Sequence, residues 1–139
     1  MAAEMKVINV RFVDPVPKSE VFKYIMASEM GASVLKNVET FKTVYSNKTF
    51  DYFSCKKPVL MAIDGVSRQL IEDADAGTYV EPENIDEYGR VIRSYLTDPH
   101  KLRRQGENGY QYAKENFDRR VLAEKFLEHI TRDVIGKKL

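Results

Sequence analysis

Residues 58–63, Pro-Val-Leu-Met-Ala-Ile, constrain the fold more than any other stretch. After the proline every position is apolar. A strand apolar on both faces belongs inside a sheet that is covered on both sides. Its flanks agree. Lys56-Lys57-Pro58 closes a helical pattern before it, and Asp64-Gly65 turns into another after it. Strands alternating with helices signal an α/β fold with a mainly parallel sheet.

The rest of the chain alternates in the same way. Residues 6–13 (KVINVRFV) read as a strand, rich in β-branched and aromatic side chains. Asp14-Pro15-Val16-Pro17 is a loop, because two prolines fit neither regular element. Residues 19–28 read as a helix with Ser19 as N-cap, and 31–35 as a short buried strand. Residues 37–45 show no period and read as a loop. Ser46 is placed to cap a helix running to about Cys55. A helix follows Gly65 to about Asp75, Gly77 is placed to take the positive φ of its C-terminus, and 78–80 form a last strand. Asn84 with Glu87 makes an Asx form of the capping box. Asp98-Pro99 is an N-cap with proline at the first helical position. Asp118 caps a final helix, whose buried side is expected to carry Val121, Leu122, Phe126, Leu127 and Ile130. The expectation is a single domain over 1–139. It is a truncated Rossmann-like parallel sheet of about four strands flanked by about six helices, with a helical C-terminal third. Ligands of such sheets bind at strand carboxyl ends.

Charge and cysteine content narrow the function. Lys and Arg number 22 against 21 Asp and Glu, a balance unlike the basic excess of nucleic-acid binders. One cysteine, Cys55, and two histidines, His100 and His129, supply no intrachain disulfide and no thiolate–zinc set. No metal or cofactor is expected. No run approaches the ~20 apolar residues of a membrane span. A cytoplasmic protein is the default.

The histidines lie on helices rather than in strand-end loops, and read as surface residues. Cys55, beside Lys56 and Lys57, reads as a structural thiol. The eight tyrosines and seven phenylalanines mostly fall at helical spacing, which favours core over a stacking surface. There is no G-x-S-x-G, G-x-G-x-x-G or P-loop. The informative stretch runs from Tyr45 to Leu60. A helix starting at Ser46 offers free backbone N–H groups and a positive dipole end. Asn47, Lys48 and Thr49 add donors in the same turn, which suits a phosphate. One turn on, Asp51 is an acceptor that suits a sugar diol. The same residues can equally be a solvated helix surface.

Asn47-Lys48-Thr49-Phe50-Asp51-Tyr52-Phe53-Ser54-Cys55-Lys56-Lys57-Pro58-Val59 resembles the N-K-x-x-E-Y-x-x-x-G-K-P-V segment of retaining GT-B glycosyltransferases of family 4, group 1. Four further passages resemble the same donor-binding domain in the right order. They are Asn9–Phe12 with Val16-Pro17, Gly65–Gly77, Val80–Leu96 and Asn108–Phe117. The resemblance implies that Asp51 stands for the glutamate that binds the donor ribose. It puts Ser46, Asn47, Lys48 and Thr49 at the donor diphosphate, and the loop of Val13, Val16 and Pro17 on the base side. Thr43 stands where the family often has a glutamate contacting the donor sugar, and Lys56 where it has glycine.

The family's donor domain begins with further βα units, whose Arg and Lys stabilise the leaving diphosphate. This chain reads as beginning after them, without the acceptor-binding domain, and with residues 1–5 as an added leader. No catalytic residue and no turnover are therefore expected of the chain alone. The implied parent is a hexosyltransferase of surface glycan synthesis, cytoplasmic or peripheral to the inner membrane face. It would move sugar from a nucleotide-sugar donor to a saccharide or lipid-linked acceptor. Truncation implies an open sheet edge beside residues 6–13, hence an edge-strand homodimer. Two rival readings are a non-catalytic interaction module, for which Asp51→Ala changes no ligand binding, and a segment of a sugar-nucleotide epimerase.

Overall fold

The computed structural model describes residues 7–132. Three parallel strands form one sheet in the order β1-β2-β3: β1 (Gly31–Val34), β2 (Val59–Ala62) and β3 (Gly77–Tyr79). Around it lie α1 (Lys18–Ala27), α2 (Asn47–Ser54), α3 (Val66–Asp73), α4 (Ile85–Thr97), α5 (Pro99–Phe117) and α6 (Arg119–Ile130). A short 3-10 turn, Glu39–Thr43, occupies part of the stretch expected to be loop.

Strand β2 is central and buried at every position, as its two-faced apolar sequence requires. Val59, Met61 and Ile63 point into a cluster with Phe53, Leu70, Ile71 and Ala74 from α2 and α3. Leu60 and Ala62 point the other way, to Val80 and to Val91 and Tyr95 of α4. Each fully buried side chain of this kind contributes roughly 1.5–3 kcal/mol.

Helices α2 and α3 end in the same Schellman turn. After α2, Lys56 N–H donates to Phe53 O and Lys57 N–H to Tyr52 O. After α3, Asp75 N–H donates to Glu72 O and Ala76 N–H to Ile71 O. The left-handed positions are Lys56 (φ 55°) and Asp75 (φ 41°). Gly77, expected to take the positive φ, lies instead in β3. Sequence favoured the glycine because glycine costs least there. Asp75 takes the position because α5 holds it: Gln105 Nε2 donates to Asp75 Oδ1 (2.9 Å), and Asn108 Nδ2 donates to Asp75 O (3.1 Å).

The capping expectations for α4, α5 and α6 hold. Asn84, Asp98 and Asp118 accept from the amides of Glu87, Lys101 and Arg120. The Glu87 carboxylate turns to Glu81 N–H (2.8 Å) rather than to Asn84. Ser19 is not a cap, since α1 already begins at Lys18 after Pro17.

Two larger expectations fail. Residues 7–13 form no strand, so the described sheet has three strands rather than four. Ile8, Val10 and Phe12 are exposed. Strand propensity records how well a side chain fits a pleated, half-buried surface, and none of the described strands pairs with this stretch to supply that surface. The exposed edge is that of β1, where Tyr52 Oη donates to Ala32 O (3.3 Å). The second failure is α6, which buries no residue; Leu122, Phe126 and Leu127 remain exposed. Apolar periodicity locates an apolar face but does not provide the element that covers it. No helix among the described residues is long and apolar enough to cross a membrane.

Candidate functional site

The strands are parallel, so the loops after β1, β2 and β3 gather at one edge of the sheet, as the general rule for ligand sites requires. The loop after β1 carries the 3-10 turn and leads into α2. The loop after β2 is only Ile63-Asp64-Gly65 and leads into α3. A cavity of about 510 Å³ opens between them, lined by Lys42, Asp64, Gly65, Arg68 and Glu72. Its cations already have partners. Lys42 Nζ lies 2.8 Å from Glu39, and Arg68 lies 2.8 Å from Glu72 and 3.6 Å from Asp64. These pairs are exposed, so each is weak and exchangeable for a ligand anion. A larger groove, about 590 Å³, lies between α2 and α5 against Phe50, Tyr110 and Phe117, within the helix layer.

The expected donor residues divide by burial. Asn47 and Lys48 are exposed in the first turn of α2, where helix geometry leaves N–H groups without intrahelical acceptors. Ser46 occupies the N-cap position, yet its side chain makes no cap. Its Oγ accepts from Ser33 Oγ (2.6 Å), and its N–H donates to Ser67 Oγ (3.0 Å). Thr49 is fully buried, and its Oγ1 has no hydrogen-bond partner among the described residues. Its amide turns back to Ser46 O (2.9 Å).

Asp51 lies one turn further along α2, with Oδ1 3.5 Å from Lys18 Nζ; its side chain keeps 25% of its exposure. Lys18 directly follows Pro17. This pair therefore joins the start of α1, next to the loop of Val13, Val16 and Pro17, to α2. Val13 and Val16 of that loop line a shallow cavity of about 330 Å³ with Val21, Tyr24 and Ile25. Thr43 ends the 3-10 turn, exposed, with Oγ1 donating to Thr40 O (3.1 Å). The structure thus ties Asp51 to α1 through Lys18, which directly follows Pro17 of that loop, and puts Ser46–Thr49 at the start of the same helix as Asp51.

Sequence reasoning missed Ser33 and Ser67, which build the base of this edge. Both are fully buried, and a single serine in the 31–35 run or at the polar start of α3 carries no periodic signal. The outlying residues stand as expected. His100 and His129 are on the surface, and Cys55 is a half-buried free thiol. The rings of Phe50, Phe53 and Phe117 pack on one another at 5.0–6.3 Å. No group of three or more His, Cys, Asp or Glu side chains among the described residues is arranged to hold a metal.

Comparison with known proteins agrees with this architecture. The model of a family described as glycosyl transferase-like matches residues 3–132. A D-inositol 3-phosphate glycosyltransferase 2 from Catenulispora acidiphila is 25% identical over 104 residues, covering 75% of this chain and 23% of that protein. A sucrose-phosphate synthase from Thermosynechococcus elongatus superposes with a TM-score of 0.77 at 18% identity, over 98% of this chain and 33% of that one. The second likeness bears on fold alone. The chain spans about a quarter to a third of the length of these relatives. With the α/β architecture of a GT-B-like fragment and a family match over nearly its whole length, the chain belongs to the group 1 glycosyltransferases.

Proposed function

We propose that this chain is the nucleotide-sugar-binding portion of its glycosyltransferase, with the donor lying along the first turn of α2. One arrangement carries the reading. Asp51 follows the exposed first turn of α2 and is tied to Lys18, which directly follows the loop of Val13, Val16 and Pro17. Amide donors, a diol acceptor and an apolar loop thereby share one side of the molecule. A nucleoside diphosphate needs those three chemistries in that order: anion, ribose, base. The Asn47 and Lys48 amides would take the diphosphate, the Asp51 carboxylate the ribose hydroxyls, and Val13 and Val16 the face of the base.

In the whole enzyme, transfer would run from a nucleoside diphosphate sugar to a saccharide or lipid-linked acceptor, in surface glycan synthesis. The rate would depend on cationic groups that stabilise the departing diphosphate. Lys42 and Arg68 line the neighbouring cavity, paired with carboxylates that a ligand anion could displace.

The test is ligand-observed NMR with UDP, GDP, ADP and dTDP, repeated on Asp51→Ala. One diphosphate should bind, and the substitution should weaken it by roughly 10- to 100-fold, the scale of hydrogen bonds to a charged group. Unchanged binding by Asp51→Ala would remove the ribose role.

A further inference from the structure

The first turn of α3 grips the segment that leads into α2 at two points. Ser67 Oγ accepts from Ser46 N–H (3.0 Å) and donates to Val44 O (3.0 Å). Two residues earlier, Gly65 lies flat on the Lys42 backbone, where an added Cβ would stand 2.1 Å from Lys42 O. Ser33, from β1, adds a third tie by donating to Ser46 Oγ (2.6 Å). The gripped residues, 42–46, include Thr43 and end at the first turn of α2. Ser33 and Ser67 are fully buried, so neither can reach a ligand in the cleft.

We propose that Ser67 is a positioning residue for the donor site. It fixes the backbone of Val44 and Ser46, and so presets the direction of the Asn47 and Lys48 amides toward a diphosphate it never touches. The inference rests on the donor-site reading. Its physical basis is preorganisation: a loop already ordered in its bound shape loses less freedom when the ligand arrives. Ser67 also satisfies Ser46 N–H and Val44 O internally, so neither backbone group is left unpaired beneath a ligand. Ser33 acts on the same residue from the other side, through one bond only.

The consequence separates the two halves of a nucleotide. Ser67→Ala should weaken the diphosphate part and spare the base part, which is held by the loop before α1. The experiment titrates wild type, Ser67→Ala and Ser33→Ala with UDP, GDP, ADP and dTDP and with the matching nucleosides, below the melting temperature of each variant. For the diphosphate that wild type binds, Ser67→Ala should lose about tenfold in affinity, while the nucleoside stays within about twofold. Ser33→Ala should lose about threefold, in the same diphosphate-only pattern, and it carries the comparison if Ser67→Ala does not fold. Equal losses for nucleoside and diphosphate, or unchanged diphosphate affinity, would overturn the positioning role while leaving the donor site standing. A wild type that binds none of the four overturns both.

Discussion

The two edges of the sheet are built to opposite ends. At the amino edge, α5 crosses beneath the turns that precede β2 and β3 and engages both. Lys56 Nζ meets Glu107 at 2.9 Å, and the Lys56 carbonyl rests on Gly106. Gln105 donates to Asp75 Oδ1 and Gly77 O, and accepts from Tyr95 Oη, itself hydrogen-bonded to Thr78. The polar groups of this edge are spent on one another. At the carboxyl edge, by contrast, one short turn of α3 holds the loop before α2 by Gly65 and Ser67, while Asn47, Lys48 and part of Asp51 stay open. The lesson is a division of labour: one edge locks the layers together, and the other holds its backbone and leaves its first-turn donors exposed.

Substitutions at the glycines should separate the edges most strongly. Gly65 has φ 77° and ψ −136°, and the Lys42 backbone occupies the space of a side chain. Gly65→Ala should cost about 3 kcal/mol or more in urea unfolding, combining backbone strain with overpacking, and should abolish diphosphate binding. A loss below about 1 kcal/mol would mean that the carboxyl edge is not held as described. Gly106→Ala should cost about 1–3 kcal/mol, although alanine is the better helix former, yet leave diphosphate affinity unchanged. If it weakens binding as much as Gly65→Ala, the two edges are not independent.

The matched turns offer a finer test. Lys56 holds a left-handed backbone with only exposed side-chain contacts, so Lys56→Gly should stabilise by about 0.5–1 kcal/mol. Asp75→Gly relieves the same strain but leaves buried Gln105 short of an acceptor, so it should gain nothing and lose about 1 kcal/mol. Equal gains at both would mean that α5 contributes no grip at the second turn.

The smallest effect lies at the end of β3. Burial, then the nearby Glu81, pushes the Tyr79 hydroxyl up to about 12. The folded state therefore keeps this proton where the unfolded chain has lost it. The contribution is complete below about pH 10 and is lost as pH rises toward 12. Tyr79→Phe should flatten the decline of melting temperature across that window and change little at neutral pH. An identical alkaline decline would assign it to other groups.

Local chemistry made much of this legible. The two-faced apolar run at β2 announced a central strand, and Asn84, Asp98 and Asp118 announced three helix starts by their capping geometry. What failed depended on partners distant in sequence. Among the described residues, 7–13 have strand composition but pair with no sheet edge, and the apolar face of α6 meets no cover. Asp75 holds a left-handed turn that glycine would normally take, because Gln105 and Asn108, 30 or more positions away, support it. At the candidate site, the start of α2 after Ser46 was readable from spacing. Ser33 and Ser67 were not, since a buried serine has meaning only once its partner's position is known.

The most direct measurement is amide chemical-shift mapping during titration with the diphosphate that binds best among UDP, GDP, ADP and dTDP. The largest changes should fall on Asn47 and Lys48, followed by Asp51 and the loop of Val13 and Val16, with the α5 residues 105–109 silent. Changes centred on Phe50, Tyr110 and Phe117 in the α2–α5 groove, or spread along the amino edge, would contradict a donor site at the carboxyl edge.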